Sequence, residues 1–225
     1  RNRPQVLRSP MGTGSPHCRP ALIVFLKMIE TVKNFLLKYN IKDKNVVLAC
    51  STGADSCALS LILASLKDEL NLKLCLAYFN HGWRKEAKEE EDFTKNLAKK
   101  LGISFVIGNA PKNCPKTEEK ARELRYEFLE EAAKKFNSEV VLLAHNKNDN
   151  VETLVYRFIK GTSIKGLMGI PEYRDIFYRP MLNIEKREIL DFLAQNNQEF
   201  KQDNSNFDNK YKRNYIRNEL IDKFL

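Results

Sequence analysis

β-Rich apolar runs alternate with longer amphipathic runs along this chain, which predicts an α/β fold: a doubly wound, mainly parallel sheet with helices on both faces. Two further observations support it. Residues 45–66 read as a strand (NVVLAC), a tight turn of small and hydroxyl residues (STGADS) and a long apolar helix (CALSLILASL). The polar segments STGADS, NHGWR and AHNKNDNVET each follow a predicted strand, and open parallel sheets bind ligands beyond the carboxyl ends of their strands. Segments far apart in sequence are thereby gathered into one crevice.

Taken in order, Met28, Ile29, Val32, Phe35, Leu36 and Tyr39 recur at helical spacing and predict a helix over Met28–Tyr39. The strand, turn and helix of residues 45–66 follow. Lys73–Phe79 is a second strand ending in Asn80-His81-Gly82-Trp83-Arg84, and Glu86–Leu101 a charged amphipathic helix closed by Gly102. Ile103–Ile107 is a third strand. Thr117, with Glu118 and Glu119 behind it, opens a helix running to about Phe136. Glu139–Ala144 reads as a fourth strand and Asn150–Lys160 as a helix stopped by Gly161.

At 225 residues the chain can build one good core with a small appendage. Its net charge is +9, but Arg1, Arg3, Arg8, Arg19 and Lys27 precede any acid and leave only +4 for the rest, compatible with a nucleic-acid partner without demanding one. Cys18, Cys50, Cys57, Cys75 and Cys114 form no CxxC pair and no zinc spacing, and this dispersed odd set points to a reducing cytoplasm. No apolar run reaches membrane-spanning length, so no membrane partner is expected. Residues 1–27, proline-rich at first and then briefly apolar, are expected to be a leader, with the domain proper at 28–225.

The turn at 51–56 gathers unpaired backbone N–H groups, hydroxyls and the positive end of a helix dipole into an anion site. Ser51, Thr52, Gly53, Ala54, Asp55 and Ser56 form it. A Walker loop would bring its own lysine; here Asp55 and Ser56 close the loop instead. A carboxylate beside a phosphate is repulsive unless a divalent cation lies between them, so Asp55 implies Mg²⁺. In the second constellation His145 leaves a strand end and Asp149 and Glu152 lie on one side of the next helix. These groups could bind metal, act as a general base or hold an amine; equally, Asp149 could cap the helix with Glu152 completing a capping box. Arg122 and Arg125 share a helix face that suits phosphate or a solvated surface. The tail, from Asp203-Asn204-Ser205-Asn206 to Arg213-Asn214-Tyr215-Ile216-Arg217, interleaves basic residues with tyrosines, which suits RNA contacts or a solvated basic turn.

Ser51-Thr52-Gly53-Ala54-Asp55-Ser56 resembles the SGGxDS loop of the PP-loop ATP pyrophosphatases, with Thr52 where that pattern has glycine. A β-branched residue disfavours positive φ, so either Thr52 is extended or the phosphate fit is altered. From Met28 to Arg217 the chain resembles the tRNA(Ile)-lysidine synthases, on STGADS, NHGWR (an "HGLR"-like turn), EEKARELRYEFL, AHNKNDNVET, KGTSIKGLMGI, RPMLNIEKREI and DNSN…RNYIR. The resemblance implies a PP-loop fold and an enzyme that uses ATP and Mg²⁺ to adenylate the wobble cytidine of a CAU-anticodon tRNA(Ile). Free L-lysine then displaces AMP. It assigns residues 51–56 to ATP, Asp55 also to Mg²⁺, and Asp55, His145, Asp149 and Glu152 to catalysis. His81, Arg84, Arg122, Arg125, Arg213, Asn214 and Arg217 would meet the cytidine or the tRNA. Asn148 stands where many members carry an aspartate, and residues 203–225 read as a tail toward absent or truncated tRNA-binding domains. A tRNA thiolation enzyme, a small-molecule synthetase and a non-catalytic nucleotide- or RNA-binding module are the rival readings. Dimerisation is left open.

Overall fold

The computed structural model describes residues 18–83, 87–111, 114–115 and 117–201. Helix α1 spans Cys18–Lys38 and so starts before the predicted Met28. Pro20 lies in its first turn, where a missing N–H costs nothing, and the ALIVFL run carries the helix forward. Strand β1 (Asn45–Cys50) leads to α2 (Ala54–Leu66), β2 (Lys73–Asn80) to α3 (Ala87–Leu101), and β3 (Ser104–Asn109) to α4 (Glu118–Lys135). Thr117 caps α4 as expected, its side chain accepting from the Lys120 N–H. Strand β4 (Val141–Leu142) precedes α5 (Lys147–Lys160), a 3₁₀ turn at Ile164–Met168, the hairpin β5 (Tyr173–Arg174) and β6 (Phe177–Tyr178), and α6 (Lys186–Gln195).

The six strands form one sheet in the order β3-β2-β1-β4-β6-β5, parallel except for β5 against β6. The predicted fourth strand, Glu139–Ala144, shrinks to two ladder residues. The run is still tied on either side, since Val47 donates to the Val140 carbonyl at 3.0 Å and Leu143 to that of Tyr178 at 2.8 Å.

Alternation along β1 and β2 divides the core. Val46, Leu48, Leu74 and Leu76 face α1, α2, α3 and α6, whereas Val47, Cys75 and Ala77 face Leu129, Ala132 and Ala133 of α4. The β1–α2 and β2–α3 crossovers thus cover one face, and the long return from edge strand β3 to central β4 places α4 on the other. Helix α6 seals the first face. Its Ile189, Phe192 and Leu193 are buried, and Phe192 stacks on Phe25 of α1 with ring centroids 5.0 Å apart. Opening that interior cavity by Phe192→Ala is expected to cost about 3–5 kcal/mol, read as a lower urea midpoint at unchanged slope.

Candidate active site

Strand β1 ends at Cys50 and α2 starts at Ala54, so residues 51–53 must turn the chain from the sheet into the helix. Gly53 is the helix cap and offers no side-chain acceptor, leaving the first-turn N–H groups of α2 to an anion. Ser56 Oγ ties the loop internally: it accepts from the Ser51 N–H at 3.2 Å, donates to the Gly53 carbonyl at 3.0 Å and lies 3.4 Å from Ser51 Oγ.

Thr52 is not extended. Its φ of 64° is the left-handed conformation that glycine favours, at a cost of about 1–2 kcal/mol for a residue with a Cβ. Three contacts hold it there: Oγ1 donates to the Ser51 carbonyl at 2.6 Å, and the Thr52 carbonyl accepts from the Lys201 N–H at 2.9 Å and from Cys57 Sγ at 3.5 Å. The side chain is buried.

Asp55, in the first turn of α2, joins this loop to two other segments. Lys186 Nζ, at the first residue of α6, donates to both carboxylate oxygens at 2.7 and 2.8 Å. Asn146 Nδ2 donates to Oδ1 at 3.0 Å. Asn146 caps α5: its side chain accepts from the Asp149 N–H and the Asp149 carboxylate accepts from the Asn146 N–H, both at 3.0 Å. This reciprocal box corrects the capping alternative read from the sequence, which paired Asp149 as cap with Glu152. The helix starts three residues earlier than the predicted Asn150, because Asn146 is itself a strong cap. Glu152 therefore sits one turn deeper and is buried, on the same side as Asp149. His145 is half-buried immediately before the cap. Asn148 Oδ1 accepts from the Lys186 N–H at 3.0 Å, so it fixes the start of α6 with no charge needed.

Asp55 and the Asn146–Asp149 cap thus meet at the carboxyl ends of β1 and β4, with His145 one residue before that cap and Glu152 one turn beyond it. Among the described residues no cluster of three or more His, Cys, Asp or Glu side chains could hold a metal alone. Asp55 by itself fits a Mg²⁺ whose remaining ligands are phosphate oxygens and water, the usual arrangement for that ion.

The other predicted residues within the described chain contact aromatic rings. Arg122 is exposed, its guanidinium 5.1 Å from the Tyr126 ring and donating to the Tyr126 hydroxyl at 3.4 Å. It lines a groove of about 570 Å³ between α4 and the β5–β6 hairpin, with Arg174, Phe177 and several acids. Arg125 lies 6.0 Å from the same ring, and burial lowers its pKa. His81 packs between Phe79 and Trp83 at the end of β2. Arg84, Arg213, Asn214 and Arg217 lie outside the described residues.

Lys186 was missed by sequence reasoning as a site residue. Its only signal there was its place in RPMLNIEKREI, at the head of a short helix.

A family model described as a PP-loop domain matches residues 25–224. The tRNA(Ile)-lysidine synthase of Thermosipho africanus is 38% identical over 208 residues, 88% of this chain and 49% of that protein. That of Clostridium tetani is 38% identical over 204 residues, covering 86% and 44%. The chain spans about half the length of these curated relatives. Among solved structures, the U34-tRNA thiolase NcsA of Methanococcus maripaludis superposes with a TM-score of 0.66 at 14% identity, over 87% of this chain and 77% of that one. The NH3-dependent NAD synthetase of Campylobacter jejuni gives 0.53 at 18% identity, over 91% and 87%. Identities this low speak for the shared fold alone.

The strain at Thr52 is testable without any ligand. Thr52→Gly removes the steric cost while Thr52→Val keeps it and loses the Oγ1 hydrogen bond. The glycine variant is expected to be the more stable of the two by about 1 kcal/mol in urea unfolding.

Proposed function

The chain belongs to the PP-loop family, and from that premise we propose that it ligates lysine to C2 of the wobble cytidine in a CAU-anticodon tRNA(Ile), converting ATP to AMP and pyrophosphate. The observation that carries the reading is the junction at Asp55, which binds the anion loop to the α5 segment bearing His145, Asp149 and Glu152. A phosphate site and a set of proton acceptors at one point are what adenylation followed by amine attack requires.

In the first step cytidine O2 attacks the α-phosphorus, the bond to the β-phosphate oxygen breaks and pyrophosphate leaves. The loop N–H groups and Ser51 hold the phosphates. Asp55 is the residue that would hold Mg²⁺, which neutralises phosphate charge when bound. Lys186 reaches this loop from α6 and supplies the cation that a Walker loop carries internally. Lys186 Nζ donates to Asp55; with nucleotide bound its ammonium would turn to phosphate oxygens. In the second step the lysine ε-amine attacks C2, the C2–O bond to AMP breaks, and the amine gives up its proton. Asp149, Glu152 and His145 would orient the cytidine and that amine, and one of the two carboxylates would accept the proton.

The thiolation reading asks for reactive sulfur. Cys50, Cys57 and Cys75 are buried core thiols, and burial pushes the pKa of each up, that of Cys75 to about 11, which leaves half-buried Cys114 as the accessible thiol among the described residues, one without a CxxC partner. Thiols held protonated are poor nucleophiles and poor cluster ligands.

The decisive experiment incubates the protein with Mg-ATP and CAU-anticodon tRNA, with and without lysine, and follows nucleotide products and nucleoside masses. Lysine-dependent AMP and a cytidine heavier by one lysyl group are expected; ADP as the product would overturn the pyrophosphatase chemistry. Lys186→Ala is expected to lower AMP formation by about 100-fold while leaving the unfolding midpoint within about 1 kcal/mol, because a half-exposed ion pair adds little stability.

A further inference from the structure

A ladder of aromatic rings runs out of the α4-side core to the rim of the crevice. Phe128 of α4 packs on Phe79 of β2 at 5.4 Å, Phe79 meets His81 edge-on at 4.9 Å, and His81 meets Trp83 at 5.5 Å. The ladder rests on Gly108 of β3, where any Cβ would overlap the Phe128 ring. Trp83 ends it and is 38% exposed. Gly82, at φ 67°, makes the turn that presents it, and its N–H donates to Asn80 Oδ1 at 2.7 Å. An exposed indole anchored through His81 to a ladder of packed rings can receive another flat ring. A bare apolar surface loop would have neither the support nor the orientation.

The side of the sheet decides which ring. Phe79 continues the β2 face that carries Cys75 and Ala77 against α4, whereas the anion loop opens into α2 on the opposite face. A nucleotide seated by its phosphates at the start of α2 lies across the strand ends from Trp83. One turn before Phe128, α4 carries Arg125, partly buried, and then Arg122, so the ladder's own helix adds cations on the Trp83 side of the sheet.

We propose that Trp83 is a stacking platform for an unpaired base of the RNA substrate, distinct from the adenine of ATP. The inference rests on RNA being the substrate, as proposed above, and adds the residue that grips a base beside the modified one. Stacking on an aromatic side chain is sequence-tolerant and contributes roughly 5- to 150-fold per base in affinity.

Trp83 is the only tryptophan in the chain, so its emission reports this position alone. Titration with a CAU-anticodon stem-loop RNA, in the absence of ATP and lysine, is expected to quench it. The same stem-loop with abasic loop positions should bind more weakly and leave emission nearly unchanged, and so should Mg-ATP alone. Trp83→Leu should raise the RNA dissociation constant by roughly 5- to 150-fold, and Trp83→Phe should restore most of the loss. Absence of quenching by the intact stem-loop, equal quenching by the abasic one, or full quenching by Mg-ATP with no further change on adding RNA would each overturn the platform. Quenching in a protein that makes no AMP would sustain it while removing the ligase reading; lysine-dependent AMP without quenching would do the reverse.

Discussion

The Asp55 carboxylate lies at the junction of three helix starts. It stands in the first turn of α2, takes two hydrogen bonds from the first residue of α6 and one from the cap of α5. Each helix start points the positive end of its dipole at this place, and a single carboxylate neutralises part of that convergence. Lys186 and Asp55 are each only partly buried, so the pair adds little to global stability. Its effect is geometric. Asn146, held by Asp55, also fixes Asp149 through the capping box, and Asn148 fixes the backbone from which Lys186 reaches. Asp55, Asp149 and the candidate phosphate lysine Lys186 therefore belong to one hydrogen-bonded unit. Movement of one is felt by the others, which is how a site can sense nucleotide charge without a large conformational change.

The loop itself shows strain accepted at a functional position. Thr52 keeps a glycine-like φ because its neighbours hold it on three sides, one of them being the Lys201 backbone. The chain just before residue 202 is thus docked on the anion loop. Whatever displaces residue 201 removes one of the bonds that keep Thr52 left-handed, and the loop geometry depends on the C-terminal segment for that reason.

Most of the sheet and of the helices packed on it could be read from the sequence because their signals are local. Strands β1 to β3 and helices α3 and α4 lie within a residue or two of the predicted limits, since apolar periodicity and caps such as Thr117 act over one or two turns, whereas α2 starts at Ala54, three residues inside the predicted turn. The carboxyl-edge rule also brought residues 51–56 and 145–152 together correctly. The β5–β6 hairpin was not read, because its strands are two residues each and take their partners from distant β4. The α5 start was misplaced because Asn146, Asp149 and Asn150 are all competent caps; the reciprocal box with Asp149 and the bond to Asp55 both favour Asn146. Lys186 could not be found from local pattern, being 131 residues from its partner. The conformation of Thr52 was equally hidden, because propensity argues against it and tertiary contacts override propensity.

A reaction that joins the α-phosphate of a nucleotide to a base within an RNA must bring two large polyanions to one point. If both approached from one side, their phosphates would repel at close range and compete for the same cations. The carboxyl edge of a parallel sheet has two sides, because helices lie on both faces, and here the faces differ. The anion loop and Lys186 belong to the face covered by α2 and α6, while Arg122, Arg125 and the ring ladder ending in Trp83 belong to that of α4. The strand ends lie between them, with Asp149 and Glu152 at the exit of β4, next to β1. A nucleotide held from one side and an RNA base from the other would meet where those carboxylates stand. The arriving lysine is itself cationic until it gives up a proton, so an acidic meeting point both attracts the amine and provides a base for it. On the reaction proposed above, the same topology that separates β3 from β4 by a return across the sheet, and so sends α4 to the far face, would give the two polyanions separate approaches.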